Sequence, residues 1–527
     1  IISGIIQQFL IEVETGEYLT KFLFQVFNNN LHMPFSLNIL ILFNYFMVLF
    51  FSYLLFLKIL KSKVFSFIFS FLFSISIYFL YRVISFTPAL FGIWSLVFLI
   101  YLLVSKRNPL FAGLLVCLIF TISVYYAFFS LVILFLWIFV DFIIFKQKIN
   151  SFKKYIFTLL IPIFFITFMF RNSLVLNIPL IGNYKNPEGR WVEQDRATIY
   201  RPIEDWYNLS FRPWYFFIPP KSSVFFGEFS KNIHEKIKNT GYYLADDYME
   251  EEMAGSYMGW HFLLGMAFVA VLLLLKKYKN KEFKTFKTVY ENKEMILRSF
   301  FIIFCILLIS GPPSFTIHGM EIYTPTYLLY HIVPVFRTLV RWAVVIYLFV
   351  LIINSFLVRD LYNLMKTKFQ KILFILGFLG LNFVIFAIKI PVINIEKPPV
   401  EIAYVKEKYP QSVPYAVYPK GDYYSIFWVI SHEDLLINPV NYVNYETGFN
   451  AGEFSKKLIT EEGIQEFLKQ NPKYLIYYPE KISDDDLEKI SEINPVLHTR
   501  DDIYGFFEQK IGEGVKVGES VVFEVGK

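Results

Sequence analysis

Apolar runs of about twenty residues recur along most of this chain. A hydrocarbon core about 30 Å thick is crossed by roughly 20 helical residues rising about 1.5 Å each. A chain that repeats such runs is therefore expected to cross a bilayer many times. Runs of this kind lie near 36–60, 64–84, 87–104, 109–125, 127–145, 153–171, 259–275, 296–311, 338–358 and 372–391. They point to a polytopic α-helical membrane protein with about ten transmembrane helices. The stretch 109–145 holds few breakers and also reads as two short helices bending near Ser123, Tyr125 and Tyr126. Composition agrees: of 527 residues, 56% are hydrophobic and 18% charged, against roughly 45–50% and 25% in soluble domains. Cys117 and Cys305 each sit inside an apolar run, which argues against a disulfide framework or a cysteine-based zinc site.

Lys and Arg set the orientation of such a bundle, because basic loops stay cytoplasmic. The short connections after alternate spans carry Lys61 and Lys63, then Lys106 and Arg107, then Lys146, Lys148, Lys153 and Lys154. Next come seven lysines from Lys276 to Lys293, and finally Arg359, Lys366, Lys368 and Lys371. With ten spans all of these fall on one side, which is then the cytoplasmic one. The other side receives residues 1–35, the long loop 172–258, the loop 312–337 and the tail 392–527. This reading places the C-terminal domain on the non-cytoplasmic side of the membrane. The chain begins on Ile1 and shows no signal peptide over 1–35, so further sequence is expected upstream.

The tail reads as a small α/β domain. Strands are expected over Val413–Tyr418, Tyr474–Tyr478, Ile503–Phe507 and Val521–Val525. Helices are expected over Thr460–Gln470 and Ser483–Ile493, each opening on a hydroxyl N-cap.

A phosphate-binding Walker loop, a dinucleotide glycine fingerprint, HExxH and GxSxG are all missing, which sets aside the pumps and hydrolases that rely on them. The spans carry few acids, Asp141 being the clearest, whereas ion-coupled transporters place ionisable groups at midplane. The sharpest motif is Pro334-Val-Phe-Arg337-Thr-Leu-Val-Arg341-Trp342. Its two arginines are four residues apart and share a helix face, at the end of a span where basic residues are scarce and the dipole opposes them. They mark either a site for a lipid phosphate, which a guanidinium fork binds bidentately, or pairing with outer-loop carboxylates or headgroups.

The preceding loop holds His318 and His331 between Pro and Gly residues. A structural role is the simpler reading for both, with metal binding or acid–base work the alternative. In 172–258, Trp191, Arg212 and Trp214 stand among carboxylates and further aromatics, a combination that lines sugar clefts. An interfacial aromatic belt is the competing account, and the stronger one for Trp214 and Phe216. The run Asp246, Asp247, Glu250, Glu251 and Glu252 reads as a solvated face rather than a metal site.

With these pieces in view the chain resembles the GT-C superfamily of membrane glycosyltransferases, in its YfhO-type bacterial branch. The similarity rests on Phe35-Ser-Leu-Asn38, Ala112-Gly113, Ser123-Val-Tyr-Tyr126 and the Pro334–Arg341 segment, and in the tail on Asn441–Phe449 and Asn471–Ile476. The resemblance implies a polyprenyl-phosphate-linked sugar donor and an extracytoplasmic glycan, lipid or protein acceptor. It makes 1–35 the remnant of a first outer loop, 36–391 the transmembrane domain and 392–527 an extracytoplasmic α/β domain. It carries Arg337 and Arg341 over as lipid-phosphate contacts, with Arg212, Trp191 and Trp214 as further substrate-binding candidates. In that family an acid of the first outer loop serves as base or metal ligand, so a divalent metal ion is a conceivable cofactor. Here the catalytic acid is unassigned. Only Glu12, Glu14 and Glu17 remain of that loop, Glu12 and Glu14 being the nearest candidates. A non-catalytic binding or translocation protein for lipid-linked glycans is the competing expectation.

Overall fold

A computed structural model describes residues 35–84, 90–106, 109–145, 158–165, 203–237, 255–279, 283–317, 320–332, 338–389, 399–410, 413–419, 435–436, 443–444 and 449–526. The chain folds as two compact units, one built mainly from residues up to 391 and one from 392–527.

The first unit is helical. Its N-terminal half contains α1 (Phe35–Leu60), α2 (Lys63–Ser74), α3 (Ile77–Ile84), α4 (Ile93–Val104), α5 (Pro109–Ile122) and α6 (Val124–Phe139). A π-helical turn, Val140–Ile144, extends α6. The short α7 (Ile203–Asn208) and α8 (Gly227–Ile237) follow. Next come α9 (Trp260–Lys279), α10 (Lys287–Glu291), α11 (Lys293–Ser310), the hairpin of β1 (Ser314–Ile317) and β2 (Met320–Tyr323), and α12 (Pro325–Ile332). The unit ends with α13 (Ala343–Leu364) and α14 (Lys368–Phe386).

Among the described residues, six stretches are long and apolar enough to cross a membrane: Asn38–Leu60, Lys63–Arg82, Val124–Ile144, Trp260–Tyr278, Leu339–Leu364 and Lys368–Phe386. The protein is thus a helical membrane protein. Two of the expected spans are shorter than foreseen. α4 has 12 residues and α5 has 14, so at about 1.5 Å each they cover roughly 18–21 Å, short of a full hydrocarbon core. The break after Ile122 comes from Ser123, whose extended backbone (φ −162°, ψ 124°) separates α5 from α6. α11 spans 18 residues but carries Lys293, Glu294 and Arg298. Of the expected span 153–171, only the helical residues 158–165 are described.

α13 is the axis of this unit. The most apolar window of Leu339–Leu364 is wholly buried, whereas only 17% is buried in the corresponding windows of α9 and α14. A helix apolar on all sides belongs in the interior. Small residues let neighbours come close to it: a Cβ on Gly265 of α9 would collide with Asn354 Oδ1 of α13. Asn354 Nδ2 in turn donates to the Phe262 and Val350 carbonyls.

Polar contacts show which helix ends lie together. Arg359 Nη1 donates to the Leu60 carbonyl. The Thr288 and Val289 N–H groups donate to the two carboxylate oxygens of buried Asp360, both at 3.0 Å. Arg298 Nη2 meets Asp141 Oδ1 at 2.5 Å, and its guanidinium carbon lies 4.2 Å from the Trp137 ring centre. This is the lysine-rich end of the unit. At the opposite end Phe211 N–H donates to Ser310 O (2.7 Å) and Val340 N–H to Leu209 O (3.0 Å).

The second unit is α/β. It contains α15 (Val400–Lys408), β3 (Pro414–Tyr418), β4 (Leu435–Leu436), β5 (Val443–Asn444), β6 (Phe449–Asn450), α16 (Ala451–Lys457) and α17 (Glu461–Lys469). β7 (Tyr474–Tyr477), α18 (Asp484–Ile493), α19 (Arg500–Ile511), β8 (Gly514–Val517) and β9 (Ser520–Glu524) complete it. Its main sheet runs in the order β4-β3-β7-β9-β8, with β4, β3 and β7 parallel and β9 and β8 antiparallel. Thr460 and Ser483 cap α17 and α18 as their sequences foreshadow. The strand expected over Ile503–Phe507 is instead the middle of α19. Thr499 and Asp502 form a reciprocal capping box there, and Ile503 and Phe507, four apart, share the buried face.

Candidate functional site

The end of the helical unit opposite its lysine-rich end holds a buried cluster of cations and phenols. Arg341 lies in a 3₁₀ turn, Leu339–Trp342, that leads into α13. Apolar neighbours fix that turn. Trp342 is fully buried and stacks on Phe129 of α6 with ring centres 3.9 Å apart, and the Val340–Leu209 hydrogen bond ties the turn to the loop after α7. The Arg341 guanidinium then sits 4.6 Å from the ring centre of Tyr125, in the first turn of α6.

Tyr126, beside it, is fully buried and donates its hydroxyl to Leu90 O at 2.8 Å. It feels the charges of both Arg341 and Arg82, and the Tyr78 hydroxyl adjoins it. Arg82 is 1% exposed and lies 5.0 Å from the Tyr78 ring centre. Two buried guanidinium groups, one from α3 on the Tyr78 ring and one from the start of α13 on the Tyr125 ring, thus belong to the surroundings of Tyr126. Near them in sequence, the buried Ser123 Oγ, Thr338 Oγ1 and Trp342 Nε1 have no hydrogen-bond partner among the described residues. Buried polar atoms are normally satisfied, so these three stand out beside the arginines.

Arg341 is the one candidate of its motif inside the described residues; Arg337, Trp191, Glu12, Glu14, Glu17 and His318 lie outside them, as does the acidic run from Asp246 to Glu252. Arg212 is buried elsewhere, with its donors turned onto its own loop. Nη1 binds Ser210 O (2.9 Å) and Ser210 Oγ (2.8 Å), and Nη2 binds Tyr207 O (2.9 Å). That geometry folds the loop after α7 rather than presenting a fork to a ligand. Of Trp214 and Phe216, expected in an aromatic belt, Phe216 turns inward. Phe216 is buried with its ring centre 4.4 Å from that of Phe211, and Trp214 is half-buried against Tyr215. His331 is exposed, edge-on to Tyr327 at 4.5 Å. No group of three or more His, Cys, Asp or Glu side chains able to hold a metal ion occurs among the described residues.

Arg82 is the member that sequence reasoning passed over. A signal for it exists: it is a lone cation at the far end of an apolar run from Lys61 and Lys63, the same anomaly that singles out Arg341. No family model matches the chain, and no curated protein sequence matches it.

Proposed function

We propose that this chain is a membrane glycosyltransferase that takes a sugar from a polyprenyl-phosphate-linked donor, and that Arg82 and Arg341 hold the donor's phosphate. The observation that carries the reading is a pair of buried guanidinium groups, Arg82 on the Tyr78 ring and Arg341 on the Tyr125 ring, both in the electrostatic surroundings of Tyr126. A phosphate is the ligand such a pair suits best, because each planar fork offers parallel N–H donors to its oxygens. The Tyr125 and Tyr78 rings carry the cations on their faces. The lysine-rich loops favour a cytoplasmic location for the opposite end, and with it an outer location for the arginine cluster.

In the reaction an acceptor hydroxyl forms the new bond to the sugar's anomeric carbon as the bond from that carbon to the phosphate oxygen breaks. Negative charge grows on the departing lipid phosphate, and the two arginines stabilise it there. The carboxylate that takes the acceptor proton is expected from the resemblance in the first outer loop, where Glu12 and Glu14 are the candidates.

The test uses the protein in proteoliposomes with a panel of polyprenyl-phosphate sugars. Arg82→Ala and Arg341→Ala should each lower kcat/KM by about 10²-fold, as loss of one charge-stabilising donor does. Full activity in both variants overturns the phosphate site. Donor binding without transfer by the wild type supports the competing reading, a protein that binds or moves lipid-linked glycans without chemistry.

A further inference from the structure

We propose that the segment 217–237, ending in α8, is an interfacial element that rests in the headgroup layer of the bilayer and inserts Phe217, Val224, Phe225 and Phe229 into the acyl region. The inference is independent of the glycosyltransferase reading and needs only that the long apolar helices cross a membrane.

The segment is tied to three helix ends. Trp260 Nε1, at the start of α9, donates to Phe217 O at 2.8 Å. Val224 N–H donates to Ala387 O (2.9 Å) and Lys389 N–H to Ser222 O (2.7 Å), an antiparallel bridge onto the chain leaving α14. Tyr81 OH of α3 meets Ser222 Oγ at 2.5 Å. Gly259 shapes the entry to α9. Its φ is +79°, and a Cβ there would stand 2.7 Å from Phe386 Cζ, so a side chain has no room. The segment's height is therefore set by where α3, α9 and α14 end.

Its surface then divides three ways. Gly227, Ser230 and His234 face the protein and are buried. Glu228, Lys231, Asn232, Glu235 and Lys236 are exposed and polar, with Lys231 and Glu228 paired at 2.7 Å. On the third side Phe217, Val224, Phe225 and Phe229 are 53%, 47%, 52% and 50% exposed. Phe225, Phe229 and Ile233 are spaced by four, one stripe along the helix and its approach.

What covers that stripe follows from its continuity. Phe225 packs edge-on to Phe383 of α14 (6.4 Å), and Phe229 to Trp260 (6.2 Å). Phe383 is itself 68% exposed and Leu264 of α9 71%, on the two helices that bury least of themselves in protein. The surface those helices turn to lipid thus runs without a break onto the segment. A short amphipathic helix with Phe on one face, Lys and Glu on the other and a Trp at its edge is suited to lie in a bilayer interface.

Site-directed spin labelling tests this in full-length protein reconstituted into phosphatidylcholine–phosphatidylglycerol vesicles, with Cys117 and Cys305 replaced by Ala. Phe225→Cys and Phe229→Cys should collide with oxygen several-fold more readily than with a nickel chelate, like the lipid-facing control Phe383→Cys. Lys231→Cys and Glu235→Cys should show the reverse preference. If labels at 225 and 229 favour the nickel chelate, the stripe faces water and the proposal fails. If they are shielded from both reagents while position 383 is not, another part of the protein covers the stripe and the proposal fails as well.

Discussion

The Asp141–Arg298 pair gives the most direct test of what holds the helical unit together. Asp141 is 3% exposed and Arg298 8%. The arginine also donates to Trp137 O at 3.2 Å and covers the Trp137 ring. Removing one partner of a buried pair leaves the other charge without compensation, at a cost of about 3–5 kcal/mol. Arg298→Met should fall in that range, and the lost contact with the Trp137 ring adds about 0.5–2 kcal/mol. Asp141→Leu strands the cation instead and should cost a similar amount. In the double variant both charges are gone and two apolar side chains of fair size fill the space, a change that is often neutral or stabilising. The coupling energy of the cycle should therefore exceed about 3 kcal/mol, a factor of roughly 10² in the unfolding equilibrium. Reversible unfolding in mixed micelles, followed by tryptophan fluorescence, measures all four proteins. If the two single effects add to within about 0.5 kcal/mol, the pair is not energetically coupled and the argument fails.

Three further outcomes follow from the same geometry. Arg212→Ala removes three hydrogen bonds from the loop after α7; it should lower thermal stability by about 2–5 kcal/mol and speed amide exchange over 207–217 while leaving donor affinity unchanged. Asp360→Ala strands the Thr288 and Val289 N–H groups at about 1–3 kcal/mol each, read as faster exchange confined to 284–292, and Asp360→Asn, which keeps one acceptor, should show about half the effect. Burial, with Lys221 nearby, pushes the His234 imidazole down to about 4 from its ordinary 6.5. The fold favours the neutral ring, so this contribution to the stability of α8 is complete above pH 6.5 and is lost as pH falls from there toward 4. Exchange in 227–237 should accelerate over that window, and His234→Gln should abolish the pH dependence.

Much of the architecture could be read from the sequence because membrane spans advertise themselves through length and apolarity alone. α1, α9, α13 and α14 fall close to runs visible in the sequence. α4 reads as a full span because an apolar run does not reveal where its helix stops, whereas the bend near Ser123 that the sequence offers is present as a single residue with extended backbone between α5 and α6. The Ile503–Phe507 stretch misleads for a related reason. Five residues satisfy a strand's alternation and a helix's four-residue spacing about equally well, and the capping box at Thr499 and Asp502 decides between them from outside the stretch.

The candidate site was legible as a set of anomalies and illegible as a set of partners. Arg82, Asp141, Arg298 and Arg341 each interrupt an apolar run, although only Asp141 and Arg341 stand out from the sequence on that ground. Nothing in the sequence says that Asp141 meets a residue 157 positions away, or that Arg82 and Arg341 rest on the Tyr78 and Tyr125 rings around Tyr126. Those associations depend on which helices lie side by side, and the apolar surfaces that settle this are too alike to be matched by inspection. α6 shows the consequence. Its first turn supplies Tyr125 and Tyr126 to the arginine cluster, and the π turn at its far end supplies Asp141 to Arg298. An intervening run of aliphatic and aromatic residues keeps the two apart. Since both attachments bear on one helix, the Asp141–Arg298 variants also probe the distant cluster. If that pair fixes how far α6 extends, Arg298→Met should weaken binding of the proposed lipid-phosphate donor, and the double variant should restore it together with stability.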